Sequence, residues 1–268
     1  EDEDFLDAWT PEVGLALLTW VSSTSSHRID LKRMVANGRR MGSLIGTDIT
    51  QGAGLIPYDV HAPEVDFTVS TSLKWMCGTP GAGILYLSPR LVQHCHPELR
   101  GWFSQENPFN WDITAFSYAP DIRRFDNGTP SVMSALASLP ALDWHAAQDQ
   151  AALLAHNRRL TARLIEAADT LGLHLVTPRD EAKRGGSVML RLPESHPAAD
   201  IVAALRKLGI TTDNRSQTLR LSPGIVGCGN AASRCVGGEL LHRMGHTEIH
   251  AERQQADQHR QDHRHQNG

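Results

Sequence analysis

The chain has 268 residues, enough for one large domain or two modest ones, and its 40% hydrophobic and 21% charged content is ordinary for a globular protein. It has no apolar run of about 18 residues, the length a membrane-spanning helix needs, and its net charge of −4 gives no argument for nucleic-acid or membrane partners. The four cysteines, Cys77, Cys95, Cys228 and Cys235, form no CxxC, so neither a zinc site nor a disulfide framework is indicated and a reduced cytoplasmic setting is expected.

In chain order, the opening Glu1-Asp2-Glu3-Asp4 has the wrong charge for a signal peptide. The compact apolar run Leu15 to Val21 predicts a buried strand. Asp30 is placed to cap a helix from Leu31 to about Arg40, which a glycine-containing step ends. Ser43 to Ile49, Val65 to Val69 and Ile84 to Leu87 read as further strands, separated by segments rich in proline and glycine. Strands alternating with helices and turns predict an α/β sheet that is at least partly parallel. The pattern is helical from Ser131 to Leu171, with Pro140 as the expected kink or break. His174 to Val176, Ser187 to Leu192 and Thr218 to Leu221 read as strands, and Ala198 to Leu208 as a helix stopped by Gly209. These form a small α+β unit. Apolar periodicity fades from Cys228. Six of the 14 histidines fall between His242 and His265, in a tract expected to be a disordered tail, with metal binding as the alternative.

Three segments carry chemistry: Asp48-Ile49-Thr50-Gln51, Thr71-Ser72-Leu73-Lys74-Trp75 and Leu219-Arg220-Leu221-Ser222-Pro223. Asp48 lies at the end of one predicted strand and Lys74 just after another, and in open α/β sheets ligands gather outside the carboxyl ends of strands. A lysine, a carboxylate and an arginine in this order suit pyridoxal phosphate (PLP). The lysine condenses with the cofactor aldehyde, the carboxylate keeps the pyridine nitrogen protonated, and the planar guanidinium grips a substrate carboxylate. Each residue also has a plainer reading: Asp48 as a turn or cap residue, Lys74 as a solvated surface lysine, and Arg220 as half of a structural ion pair.

The stretch DITQGAGLIPYDVHAPEVDFTVSTSLKWMCGTPGAGILYL resembles the lysine region of the class V aminotransferase superfamily of PLP enzymes. The resemblance implies that Asp48 pairs with the pyridine nitrogen, Gln51 binds the phenolic oxygen, Thr71 contacts the phosphate and Lys74 forms the Schiff base. Through IRRFDNGTP it implies that Thr129 reaches a phosphate across a homodimer interface, and through GITTDNRSQTLRLSPGIV that Arg220 binds the carboxylate of an amino-acid substrate. LRGWFSQENPFNWD is most similar to kynureninases and places Trp102 near the cofactor. That family hydrolyses kynurenine to anthranilate and alanine. At Leu73 kynureninases carry Tyr, while the epimerase-like and cysteine desulfurase branches carry His. An aminotransferase, epimerase or lyase is therefore the alternative, with an inactive remnant as a third reading.

The likeness runs over roughly residues 15 to 226. It implies a partial PLP-binding large domain with a mostly parallel sheet over 1–145, a small α+β domain over 146–226, and an atypical tail over 227–268. Family members carry a segment upstream that supplies a phosphate-binding turn. The expectation is therefore a fragment that binds PLP weakly by itself.

Overall fold

A computed structural model describes residues 2–225 of the chain, so the tail, with Cys228, Cys235 and its histidines, lies outside the described residues. Two compact units divide the chain. One holds Glu1–Ser23 and His27–Leu154, the other Thr24–Ser26 and Ala155 onward. No helix among the described residues is long and apolar enough to cross a membrane.

The first unit opens with helix α1 (Asp2–Asp7), strand β1 (Leu15–Thr19) and helix α2 (Leu31–Met41). α2 starts where Asp30 accepts the Arg33 N–H with its side chain, and stops at Gly42, whose φ of +82° is a left-handed conformation that suits glycine. Its buried residues Leu31, Met34, Val35 and Gly38 follow the three-and-four spacing of one helical face. At Gly38 an added methyl would lie 2.8 Å from Ile45 and from Trp9, so the absent side chain lets helix and sheet approach.

Strands β2 (Leu44–Asp48), β3 (Phe67–Thr71) and β4 (Gly83–Leu87) complete a sheet in the order β1-β2-β3-β4. β1, β2 and β3 run parallel, and β4 returns antiparallel to β3. The expected α/β class with a mostly parallel sheet is what the structure holds. Asp66 locks the start of β3. Its carboxylate, 2% exposed, accepts the Ile45 N–H (2.8 Å), Arg39 (2.7 Å) and Arg90 (2.8 Å). Arg39 comes from α2 and Arg90 from helix α3 (Pro89–His94), so one buried carboxylate fastens two helices to the sheet.

After a segment of turns comes helix α4 (Val132–Ala146), then α5 (Gln150–Thr170). Of the kink or break expected at Pro140, the structure excludes the break, because α4 runs through it. A proline removes one helical N–H, and α4 continues past that gap. The break falls instead at residues 147–149, where the Asp149 carboxylate accepts the N–H groups of Ala151 and Ala152 and starts a new helix.

The second unit takes most of α5, then β5 (His174–Leu175), β6 (Val188–Arg191), α6 (Ala198–Lys207), β7 (Asp213–Arg215) and β8 (Thr218–Leu221). Its sheet is antiparallel throughout, in the order β5-β6-β8-β7. Leu160, Leu164, Ile165 and Ala168 of α5 pack with Val188, Leu190, Leu205, Leu219 and Leu221 as one core. β7 carries no apolar run and was not expected from sequence.

Candidate active site

Because β1, β2 and β3 are parallel, their carboxyl ends share one edge of the sheet, and Asp48 stands in register between Thr19 of β1 and Val69 of β3. Two residues beyond Val69, Thr71 ends β3. The chain turns sharply at both places. The Asp48 carboxylate accepts the Thr50 N–H (2.9 Å), the Thr50 hydroxyl accepts the Thr71 N–H (3.3 Å), and the Thr71 hydroxyl accepts the Leu73 N–H (3.3 Å). Short side chains bonding the backbone two residues on is the local chemistry that bends a chain out of a strand. Lys74 follows in a tight turn closed by Cys77 N–H to Lys74 O (3.0 Å) and Gly78 N–H to Ser72 O (2.7 Å). Its side chain is exposed, and Asp48, Gln51 and Thr71 are half-buried.

The loop that carries Gln51 lies directly against this turn. Gly54 has φ +89°, and a methyl there would stand 2.7 Å from the Met76 nitrogen and 2.8 Å from the Trp75 carbonyl carbon. Only a residue without Cβ allows both the dihedral and the approach. Gly54→Ala is expected to cost about 1–3 kcal/mol, the range for strain at such a backbone position. A urea midpoint equal to that of the unchanged protein would show that the loop yields instead. Sequence reading passed over Gly54 because only the partner loop distinguishes it from Gly52.

The structure thus brings Asp48, Gln51, Thr71 and Lys74 to one sheet edge. Their chemistry fits the cofactor the resemblance implies. Asp48 spends one acceptor site on Thr50 and a carboxylate has about four. The Thr71 hydroxyl accepts from Leu73, so its own O–H stays available to donate to a phosphate oxygen.

Trp102 and Thr129 form a second group. A methyl on Gly101 would sit 2.2 Å from the Asn127 carbonyl oxygen, so the chain at 101 lies flat against 127–128. Trp102 opens a single turn of 3₁₀ helix, is 60% exposed and meets Trp111 edge-on at 5.7 Å. Thr129 is exposed. Among the described residues no hydrogen bond or ring contact ties either one to Asp48 or Lys74.

Arg220 belongs to the second unit and is 15% exposed. It stands opposite Asp213 across β7 and β8, donating from Nε (2.7 Å) and from Nη2 to the two carboxylate oxygens. This is the structural ion pair that was its plainer reading. It occupies one edge of the guanidinium and leaves the edge bearing Nη1.

The aminotransferase class-V family model matches residues 1–219. The chain is 32% identical over 251 residues to the kynureninase of Deinococcus radiodurans, an alignment covering 89% of this chain and 60% of that protein. It is 28% identical over 218 residues to the kynureninase of Pseudomonas fluorescens, covering 80% and 51%. The chain therefore spans between about half and 60% of the length of these curated relatives. In fold it is similar to the cysteine desulfurase CsdA of Escherichia coli, with a TM-score of 0.76 at 21% identity, covering 91% of this chain and 62% of that one.

Proposed function

This chain belongs to the aminotransferase class V family, and from that premise we propose that it serves PLP-dependent chemistry on an amino acid, with hydrolysis of kynurenine to anthranilate and alanine as the reaction. The observation that carries the reading is the single sheet edge holding Asp48, Gln51, Thr71 and Lys74, in a chain 32% identical to a kynureninase. Bound PLP supplies an electron sink for the bond-breaking step. The protein supplies the rest. The Lys74 amine would hold the cofactor and could carry a proton at the substrate α-carbon. The Asp48 carboxylate would keep a proton on the ring nitrogen. The hydroxyl of Thr71 would donate to the phosphate, and Gln51 to the phenolic oxygen.

Trp102 would flank the cofactor, and Thr129 would reach a phosphate belonging to a second copy in a homodimer. Arg220 would use its Nη1 edge for the substrate carboxylate while Asp213 holds the other edge. One observation favours a second reading, an aminotransferase, epimerase or lyase: Leu73, exposed beside Lys74, has no hydroxyl to offer where kynureninases carry Tyr.

Product analysis tests the choice. Where the PLP-loaded protein turns over L-kynurenine, anthranilate and alanine are expected in equal amounts. Turnover of another amino acid to a keto acid, an inverted isomer or a cleaved side chain, with no anthranilate, would assign the second reading.

A further inference from the structure

The turn that bears Lys74 is fastened at both ends by one face of α4. At the far end the Ser138 hydroxyl accepts the Thr79 N–H (3.0 Å) and touches the Thr79 hydroxyl (2.9 Å), which donates to the Ser134 carbonyl (2.8 Å). Ser72 ties the same end across the turn, donating to the carbonyls of Thr79 (3.0 Å) and Ala82 (3.1 Å). The fit is close. A methyl on Gly78 would lie 2.5 Å from Ser72, and one on Gly81 would lie 2.9 Å from the Ser134 hydroxyl. At the near end, seven residues along α4 and so on the same face as Ser138, His145 meets the Trp75 carbonyl oxygen at 3.0 Å through Nε2.

His145 is 8% exposed, and its ring lies 4.9 Å from that of Trp144, edge to face. A carbonyl oxygen only accepts, so Nε2 is the donor in this bond. Nδ1 is buried with no hydrogen-bond partner among the described residues. A half-satisfied imidazole is a poor way to fill a core, since an apolar ring would fill the same space with no orphaned nitrogen. The bond to Trp75 is what the imidazole adds.

That bond acts on the residue next to Lys74. The Lys74 side chain is exposed and has no ion pair or hydrogen bond of its own among the described residues, so the backbone that bears it is what limits where the amine can reach. We propose that His145 is a positioning residue for Lys74: by holding the Trp75 carbonyl it fixes the turn in the orientation that presents the amine to the cofactor. The proposal rests on the reading of Lys74 as the cofactor lysine.

Hydrogen exchange by mass spectrometry on the 268-residue chain, without cofactor, reads the turn directly. In His145→Ala the amides of Cys77 and Gly78 are expected to exchange about tenfold faster, the local stability that one hydrogen bond contributes. Peptides from β1 and β2 should be unchanged. Incubation with subsaturating PLP followed by borohydride should label Lys74 about tenfold more slowly, by the same loss. His145→Gln should rescue both, because its side-chain N–H sits at nearly the same reach as Nε2. His145→Asn, one methylene shorter, should rescue neither, and this pair decides the matter even where the alanine variant does not fold. Unchanged exchange and labelling in the alanine and asparagine variants overturns the positioning role. So does uniform loosening of β1 and β2 that glutamine fails to repair. A PLP adduct on a different lysine in the unchanged protein overturns the cofactor-lysine reading and this proposal with it, whatever the exchange shows.

Discussion

Lys74→Ala is expected to leave no borohydride-stable PLP adduct at cofactor concentrations where the unchanged chain carries one. The chain has four lysines, Lys32, Lys74, Lys183 and Lys207, and all four are exposed, so accessibility does not choose among them. Surroundings do. Lys74 alone follows a parallel strand whose neighbour ends in a carboxylate, with the hydroxyls of Thr50 and Thr71 on the same edge. A condensing amine needs cofactor held beside it, because positioning turns a slow bimolecular encounter into an effectively intramolecular one. Lys32, Lys183 and Lys207 have no such set and should label slowly and substoichiometrically. Lys74→Arg should fail in the same way, since a guanidinium keeps the charge and offers no primary amine. An exposed side chain with no described partner contributes little to folding, so both variants should stay within about 0.5 kcal/mol of the parent stability. Peptide mapping after reduction is the measurement. An adduct that persists in Lys74→Ala would move the cofactor elsewhere.

The second large effect concerns stability. Asp66→Ala is expected to cost about 2–4 kcal/mol, because it orphans the Ile45 N–H and removes two charge-assisted bonds to a buried carboxylate. The full penalty of a broken buried ion pair does not apply, since Arg39 and Arg90 are themselves 40% and 66% exposed and can turn to water. The pH dependence has a definite sign. Burial works against the ionised Asp66, but the Ile45 N–H, Arg39 and Arg90 together outweigh it and hold the carboxyl below its ordinary value. A carboxylate depressed in the folded state contributes stability that is whole above its unfolded value, near pH 4, and is lost as pH falls through the folded one. Urea midpoints of the parent and of Asp66→Ala should differ fully at pH 7 and converge below about pH 4. A gap that stays constant across that range would mean the carboxylate's charge is not what fastens α2 and α3.

Local patterns in the chain sufficed for α2, for the strand runs and for the order of the site residues. The Asp30 cap and the face of Leu31, Met34 and Val35 are set within one stretch of backbone, and so is a strand's apolar run. Asp48 and Lys74 could be placed at strand ends for the same reason. The likeness to class V aminotransferases added a site, since those motifs keep their spacing along the chain. What pairs with what lay beyond this reach. β4 has the same kind of apolar run as its neighbours, yet it runs antiparallel, and direction belongs to the pairing with β3 and not to either strand alone. β7 exists only because β8 offers it an edge, and that edge also turns Arg220 towards Asp213. Pro140 is a breaker by its covalent structure, yet α4 runs past it, and the break comes where Asp149 caps the next helix. The bond from His145 to Trp75 spans 70 positions, and that from Asp66 to Ile45 spans 21. A hydrogen bond needs its atoms within about 3 Å, whatever their separation along the chain. Only the folded backbone brings such distant residues that close.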